Sequence, residues 1–219
     1  MKNFFFVLAA FLFGFIAVIG YQYYQARQLK LVATPDPVPA RDQSDPEPTF
    51  ALVPPSQAIN GILTIIKGKA DMITRTDSEY KEASSGAQIL LGESVATKED
   101  ASAIAEFSGI VTVSMGPVSE LVFANLFPEN IVLQQKNGKI VYVVRKPISV
   151  RALHSLVTMN PGTVTVNIID TDVSVTVTSG SVKLAIVDTD NTTRIYDLKT
   201  KERANIDDAA REVFLVKAR

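Results

Sequence analysis

The chain contains no cysteine, no tryptophan and a single histidine, His154. Without cysteine it has no disulfide framework, no cysteine-based zinc cluster and no thiol nucleophile, and its redox compartment cannot be deduced from cysteine usage. One imidazole does not supply a metal site built on several histidines or most general-base schemes. With 8% aromatic residues, stacking platforms for nucleic acids or sugars are poorly supplied. These absences argue against most enzyme classes.

Charge is also nearly balanced. The formal net charge is −1 at pH 7 and the isoelectric point is about 5.9, so no long-range positive field would gather nucleic acid. We therefore expect no nucleic-acid partner. The 219 residues are 47% hydrophobic, which is enough for one well-buried domain together with segments that need not fold.

An apolar run without charged residues opens the chain. Residues Phe4–Gly20 read FFFVLAAFLFGFIAVIG, and extension to Tyr24 gives a helix of about 30 Å, long enough to cross a bilayer. Interfacial tyrosines and then basic residues follow it: Tyr21, Tyr23, Tyr24, Arg27 and Lys30. This order is typical of the end of a membrane span, and we predict a transmembrane helix at residues 4–24.

Three interpretations of this segment compete: an uncleaved signal-anchor, a cleaved signal peptide and a buried core helix. The run is longer than the apolar part of a usual signal peptide, and a core helix is seldom apolar on all sides, so the signal-anchor is favoured. Only Met1–Asn3 precede the span. We expect residues 1–3 to be a cytoplasmic stub and the lipid bilayer to be a partner of the helix. The folded part then lies outside the cytoplasm at the cell membrane, or is secreted if the helix is cleaved.

The next segment, residues 25–60, is predicted to be an extended linker. Its proline-rich part, residues 31–56, holds seven of the eleven prolines of the chain. Prolines at this density prevent helices and sheet ladders and favour a stiff polyproline-like tether. Pro35, Pro37 and Pro39 alternate and make no PxxP pattern, so a role as ligand of proline-binding domains is disfavoured.

From residue 61 to 219 the sequence predicts an extracytoplasmic β-domain. Val, Ile and Thr recur with period two between turn residues, most clearly at Ile110–Met115, Val164–Ile168 and Val173–Thr178. Polar residues alternate with valine, so each strand has one buried and one solvated face, as in antiparallel sheets. The predicted fold class is all-β, an antiparallel sandwich or roll of many short strands. A short helical turn is expected near Asp207–Glu212, and the last strand at Val213–Lys217.

Three tight connections are predicted as hairpins. Asn137-Gly138 joins IVLQQK to KIVYVV with the residues of a type I′ turn, and Ser179-Gly180 joins VTVT to SVKLAIV. Thr97–Asp100 is interpreted as a third hairpin turn. The lone glycines Gly138 and Gly180 are turn residues, and no glycine-rich phosphate loop follows a strand.

Few residues have the chemistry of a site. His154 is followed by Ser155, but two consecutive residues of a strand point to opposite faces, which disfavours a catalytic pair. We expect His154 to be an exposed or capped loop residue. Asp170–Asp172 and Asp188–Asn191 carry closely spaced oxygens of the kind calcium prefers, yet neither continues into a complete calcium loop. Turn formation is the favoured explanation, and we predict no catalytic, cofactor-binding or metal-binding residues and no cofactor.

The sequence is compatible with two alternatives for the edges of the sheets. Exposed Val and Thr edges accept a partner strand in many β-proteins. Alternatively, the edges are protected by basic residues, with four candidates: Lys136, Lys139, Arg145 and Lys146.

Several motifs follow one another in an order that resembles the FecR domain, a family of β-rich modules of bacterial envelope proteins. The resemblance covers residues 62–206, and its most specific stretch is LLGESVATKEDASAIAEF at Leu90–Phe107. Four shorter motifs follow: MGPVSEL (115–121), NGKIVYVV (137–144), SGSVKL (179–184) and LKTKERANI (198–206). Two departures occur, since Asp170–Val173 stands where the family often has Gly-Thr-x-Phe, and Ser108-Gly109 replaces an Asp-Gly turn.

The resemblance implies a function in the cell envelope. Well-known members of the family signal to an extracytoplasmic-function sigma factor through a cytoplasmic segment before the membrane helix, and Met1–Asn3 are too short for that role. We therefore expect a membrane-anchored, non-catalytic module that binds an envelope protein or polymer in a structural or sensory role. The alternative is a transmembrane signalling regulator that acts on a sigma factor through a separate cytoplasmic partner.

Overall fold

The computed structural model describes residues 57–217, which form 17 β-strands and no helix. The predicted stub, the membrane helix and most of the linker lie outside the described residues. Within residues 57–217, no helix of the length and apolar character needed to cross a membrane is found. The strands, in chain order, are β1 (Gly61–Lys67), β2 (Ala70–Ile73), β3 (Lys81–Glu82), β4 (Gln88–Ile89), β5 (Ser94–Thr97), β6 (Ser102–Phe107), β7 (Val111–Met115), β8 (Glu120–Phe127), β9 (Asn130–Val144), β10 (Ile148–Ala152), β11 (Ser155–Met159), β12 (Gly162–Ile169), β13 (Asp172–Ser179), β14 (Ser181–Val187), β15 (Thr193–Lys199), β16 (Arg203–Asp207) and β17 (Glu212–Val216).

The strands form two sheets that share β9. Sheet A has the order β4-β1-β6-β7-β9-β12-β13-β16-β17, and sheet B the order β3-β2-β5-β8-β9-β10-β11-β14-β15. All pairs are antiparallel except β9 with β10. This arrangement confirms the predicted all-β, mainly antiparallel fold, and the three strands singled out in the sequence are present as β7, β12 and β13.

The predicted hairpin at Asn137-Gly138 is wrong. The two segments that it was expected to pair are halves of one continuous strand, β9, whose first half pairs with β8 and β10 and whose second half pairs with β7 and β12. Gly138 has a φ of 82°, and a Cβ built there would lie 2.3 Å from the Ser119 hydroxyl. The glycine therefore permits a bend between sheets, which uses the same backbone conformation as a tight turn.

The other two predicted hairpins are wrong for a related reason. β13 belongs to sheet A and β14 to sheet B, so Ser179-Gly180 is a corner between sheets. Gly180 has a φ of 87°, and a Cβ there would lie 2.3 Å from the Pro161 carbonyl of the adjacent corner. Thr97–Asp100 likewise leads from β5 in sheet B to β6 in sheet A, and Lys98 there forms an ion pair with Asp71.

The apolar faces of both sheets form one core. Inward residues alternate with more exposed ones along the strands. In β7, for example, Val111, Val113 and Met115 are buried, whereas Thr112 and Ser114 are partly exposed. Phe107 of sheet A and Phe123 of sheet B contact each other with ring centroids 5.4 Å apart, so the faces interdigitate. Burial of this many branched side chains is the main stabilising contribution to such a fold.

A buried network of hydrogen bonds connects the two halves of β9. The Tyr142 hydroxyl donates to Gln135 Oε1 at 3.0 Å, and Gln135 Nε2 donates to the Gly138 carbonyl at 2.7 Å and the Val166 carbonyl at 3.1 Å. Burial raises the pKa of Tyr142 well above its usual value. The bend therefore has its own satisfied hydrogen-bond network inside the core.

In the C-terminal half of the domain, hairpins alternate between the sheets. β10–β11 and β14–β15 lie in sheet B, whereas β12–β13 and β16–β17 lie in sheet A. The last hairpin has a four-residue turn, Asp208–Arg211, where a helical turn was expected, and the predicted last strand is confirmed as β17. Because of this alternation, the outermost strands β15 and β17 flank a common cavity of about 270 Å³.

Candidate functional site

The ends of the two sheets differ in their protection against pairing with another chain. An edge strand exposes unpaired backbone N–H and C=O groups, and proteins usually shorten it or charge it. β3 and β4 are each two residues long, too short to accept a strand. β15 and β17 are seven and five residues long, and within residues 57–217 each pairs with only one neighbour.

β15 is a charged edge. Its sequence, TRIYDLK, places Arg194, Asp197 and Lys199 within six successive positions. Arg194 also forms an ion pair with Asp188 in the preceding turn. Ile195 is 59% exposed, but Arg194 precedes it and Asp197 follows two residues later on the same strand. Charges of this kind oppose the addition of a further strand.

β17 is an apolar edge. Its sequence is EVFLV, and three consecutive side chains are solvent-exposed: Phe214 by 57%, Leu215 by 43% and Val216 by 52%. Because side chains alternate along a strand, Phe214 and Val216 lie on the outer face of sheet A, whereas Leu215 lies on the inner face opposite buried Ala204. Both faces of this edge therefore present apolar surface.

A groove runs from Phe214 across the outer face of sheet A. The cross-strand register places Asn167, Ser174 and Asn205 in one row that ends at Phe214. The groove has a volume of about 450 Å³ and is also lined by Ile169, which is exposed. Polar side chains beside two apolar ones are typical of a surface that receives a side chain from a partner.

The outer face of this edge carries opposite charges at its two ends. Asp172, Asp207 and Glu212 form one cross-strand row, and Arg203 lies at the other end, where its Nε donates to Asn205 Oδ1 at 2.7 Å. Lys217, which directly follows β17, lines the cavity shared with β15 at the same end. A strand paired with β17 would therefore meet acidic groups at one end, apolar groups in the middle and basic groups at the other. This gradient favours one direction of binding over the reverse.

The basic residues suggested as protection do not lie on an edge. Lys136 and Lys139 belong to β9, a central strand of both sheets. The Glu120 carboxylate accepts a hydrogen bond from Lys136, and this contact raises the pKa of Lys136. Arg145 Nη1 donates to Thr112 Oγ1 at 3.3 Å. None of these contacts covers β17, so that alternative does not apply to this edge.

His154 lies in the turn between β10 and β11, where its ring is exposed, as expected. A contact that the sequence did not indicate holds it: Nδ1 lies 2.6 Å from Asp208 Oδ2, and its backbone N–H donates to Asp208 Oδ1 at 3.1 Å. Ser155 is buried, and its hydroxyl has no hydrogen-bond partner among residues 57–217. The serine and the imidazole therefore do not form the hydrogen bond that nucleophilic catalysis requires.

The two acidic segments form turns. Asp170-Thr171 connects β12 to β13, and Asp188–Thr192 connects β14 to β15. The Asp190 carboxylate accepts hydrogen bonds from the Thr192 hydroxyl at 2.6 Å and the Thr192 N–H at 2.9 Å, and these bonds lower the pKa of Asp190. In the part of the chain that the structure describes, no group of three or more metal-binding side chains is arranged to hold a metal ion.

Two solved structures are similar to this fold over part of their length. Both are crystal structures of a putative anti-sigma factor from Parabacteroides distasonis, with 15% and 14% sequence identity and a TM-score of 0.49 in each case. Each alignment covers 56% of this chain, which spans 58% of the length of the solved chain. No family profile matches the sequence, and no curated protein matches it.

Proposed function

We propose that the β-domain is a non-catalytic binding module that accepts an extended protein segment as an added strand on β17. The observation that carries the proposal is the contrast between the long edges: β15 is charged, whereas β17 exposes Phe214, Leu215 and Val216 side by side. A long, exposed, apolar edge strand promotes aggregation when no partner covers it. A bound partner strand would cover this edge and prevent such aggregation.

The incoming strand would be held by two kinds of contact. Alternate residues of β17 direct their backbone N–H and C=O groups away from β16, and a partner strand pairs with them. A side chain of the partner enters the groove beside Phe214 and Ile169. The most favourable segment is apolar in the middle, with a basic group facing Glu212 and an acidic group facing Lys217.

We place this module outside the cytoplasm, with an envelope protein as its partner. The support is the sequence: the apolar segment at residues 4–24 and the proline-rich linker at residues 25–60. Mass determination of the membrane-extracted protein tests the anchor, since loss of the first twenty or so residues would contradict it. Protease treatment of intact spheroplasts tests the side of the membrane, because an external domain is degraded without lysis.

Site-specific photo-crosslinking of the full-length protein tests the binding site. A photoreactive phenylalanine analogue replaces Phe214 in one variant and Ile195 in the other; the two side chains are matched at 57% and 59% exposure. We expect one partner segment to be crosslinked from position 214 and not from position 195. A synthetic peptide of that segment should then slow amide exchange in β17.

Other outcomes of this experiment oppose the proposal. Equal crosslinking from both positions would indicate a general apolar contact, and a crosslink between two copies of this chain would replace the partner by self-pairing. A captured peptide that leaves the exchange of β17 amides unchanged would also exclude strand addition.

A second candidate is a signalling regulator that acts on an extracytoplasmic-function sigma factor through a separate cytoplasmic partner. The ordered motifs from Leu90–Phe107 to Leu198–Ile206 support it by their resemblance to the FecR domain. Transcription from sigma-dependent promoters should then change when the chain is deleted. If deletion changes no sigma-dependent transcript, the regulator is excluded and the binding module is unaffected.

A further inference from the structure

A second cavity lies at the other surface of the domain, on the outer side of sheet B. It has a volume of about 650 Å³, and its wall is formed by the β10–β11 turn, the β14–β15 turn and Arg211 of the β16–β17 turn. This volume is in the range of small-molecule sites. The cavity shares no lining residue with the groove beside Phe214, so it is a separate feature from the proposed strand-binding edge.

Two arginines line this cavity. Arg151 is exposed on β10, and among residues 57–217 its side chain makes no hydrogen bond or ion pair. Arg211 has one contact, in which Nη1 donates to the Val187 carbonyl at 3.0 Å. That bond fixes the side chain against the cavity wall and leaves other guanidinium N–H groups for a ligand. Arginine has five donors in a planar fork that matches a carboxylate.

The nearby carboxylates are already paired inside the protein. Asp188 forms an ion pair with Arg194 and accepts a hydrogen bond from the Thr189 N–H at 2.7 Å. Asp208 is buried and is occupied by the backbone and ring of His154. Neither carboxylate contacts Arg151 or Arg211. Among residues 57–217, neither arginine therefore has a carboxylate as an ion-pair partner, and both guanidinium groups are left for an anionic ligand.

The rest of the wall defines the shape of the ligand. Leu153, Leu156, Ala185 and Val187 supply apolar surface, and Leu156 lies directly opposite both Arg151 and Ala185 in the sheet. A ligand with one anionic head and an aliphatic body matches this surface. A dianion such as phosphate fits less well, because Asp188 itself lines the cavity and Asp208 lies next to His154, and both carboxylates repel a second negative charge.

We propose that this cavity binds the carboxylate of an aliphatic ligand, with Arg151 and Arg211 on the carboxylate and the leucines against the hydrocarbon. His154 adjoins the cavity with Nδ1 engaged by Asp208, which leaves Nε2 as the ring nitrogen facing solvent. Because His154 is the only histidine of the chain, its imidazole gives a single, assigned NMR signal at the cavity.

The test is a titration of the full-length protein in lipid nanodiscs, followed through the His154 ring signal. The probes are pentanoate, 1-pentanol of the same chain length, inorganic phosphate and N-acetyl-leucine, which has a peptide bond beside its carboxylate. We expect saturable shifts with pentanoate or N-acetyl-leucine, and little effect of 1-pentanol or phosphate. The tighter of the two carboxylates identifies the source as a free aliphatic acid or a peptide C-terminus.

Two charge variants make the test specific. Arg151→Gln should weaken carboxylate binding about tenfold or more, since a charge-assisted hydrogen bond is lost. Lys183→Gln, on the same sheet but outside the cavity, should have little effect. The proposal is overturned if no carboxylate shifts the signal at millimolar concentration, if phosphate binds as well as pentanoate, or if both variants weaken binding equally.

Failure of this proposal is distinguishable from failure of the proposed function. Phe214→Lys alters the strand-binding edge and leaves every residue of the cavity in place. We expect this variant to keep the pentanoate response unchanged. Loss of the response in Phe214→Lys would show that the two surfaces are one site and would overturn their separation.

Discussion

β15 and β17 are the outermost strands of the two sheets, and they meet solvent with opposite chemistry. Both are the second strand of a hairpin, and both contribute to the same small cavity between the sheets. Topology therefore does not account for the difference. β15 carries Arg194, Asp197 and Lys199, whereas the four residues after Glu212 in β17 are all apolar. A few charges are enough to protect an edge, and β17 lacks them.

The comparison also separates stability from binding. Val213 is half-buried against the core, so it stabilises the fold whether or not a partner is present. Phe214 and Val216 face solvent on the other side, where their burial by a partner would contribute about 1.5–3 kcal/mol each. Burial of the exposed side chains of β17 would therefore contribute more binding free energy than burial of those of β15.

The largest expected effect is a loss of folding stability that would disturb both edges, because the chain reaches β15 and β17 through the corner at Gly180. Gly180→Ala should lower the free energy of unfolding by about 3 kcal/mol, from the left-handed backbone and the overlap with the Pro161 carbonyl. Urea denaturation followed by tyrosine fluorescence measures the change.

Gly109→Ala is the matched control for this substitution. Gly109 also has a positive φ, 70°, but a Cβ there meets nothing within 4 Å. It should cost only about 1 kcal/mol, the backbone contribution alone. Equal losses in the two variants would contradict the close approach of the two corners at Gly180 and Pro161.

These corners explain what the sequence could and could not predict about the fold. Period-two patterns identified β7, β12 and β13, because a half-buried strand has to alternate. Gly138 and Gly180 were predicted to be turn glycines, and both have positive φ. They were assigned to hairpins because a tight turn and a corner between sheets both require that conformation, and only long-range pairing distinguishes them.

The candidate sites were harder to predict for the same reason. EVFLV is recognisable as a strand, but only the pairing of the strands in the folded sheet shows that it is an edge. The contact between His154 and Asp208 joins residues 54 positions apart. Arg151 of β10 in sheet B and Arg211 of the β16–β17 turn in sheet A line the same cavity. Local pattern carries no information on such juxtapositions. The run of four apolar residues in β17 was the feature of the sequence that could have indicated an apolar edge.

The next effect makes β17 resemble β15. Phe214→Lys combined with Val216→Lys should weaken binding of the crosslinked partner segment by at least about 30-fold, the equivalent of one 2 kcal/mol hot spot. Stability should change little, since both side chains are exposed. Titration of the labelled peptide measures the affinity.

Ile195→Lys on β15 serves as the control for that double substitution. It adds a charge at a position of equal exposure and should leave the affinity of the partner peptide unchanged. If it weakens binding as much as the β17 variant does, the partner does not distinguish the two edges, and the comparison fails.

A smaller effect makes β15 resemble β17. Arg194→Val combined with Asp197→Val removes two of its three charges and leaves an apolar run around Ile195. We expect stronger concentration-dependent self-association than in the native chain, measured by sedimentation velocity of the nanodisc-embedded protein. Lys183→Gln, which removes a charge away from the edge, should leave sedimentation unchanged. A double variant that sediments like the native chain would show that charge is not what protects β15.

The smallest effect concerns the turn that leads into β15. Hydrogen bonds from Thr192 hold the pKa of Asp190 below its ordinary value of 3.8. The folded state therefore favours the ionised carboxyl, so the contribution to stability is present above the ordinary value and is lost as pH falls through the folded pKa. Thr192→Val removes the hydroxyl donor and should raise the pKa of Asp190, measured by NMR titration of its carboxyl carbon. Thr189→Val, whose hydroxyl contacts Asp188 and not Asp190, should leave that titration unchanged. An identical Asp190 curve in all three proteins would mean that the turn before β15 is held by its backbone alone.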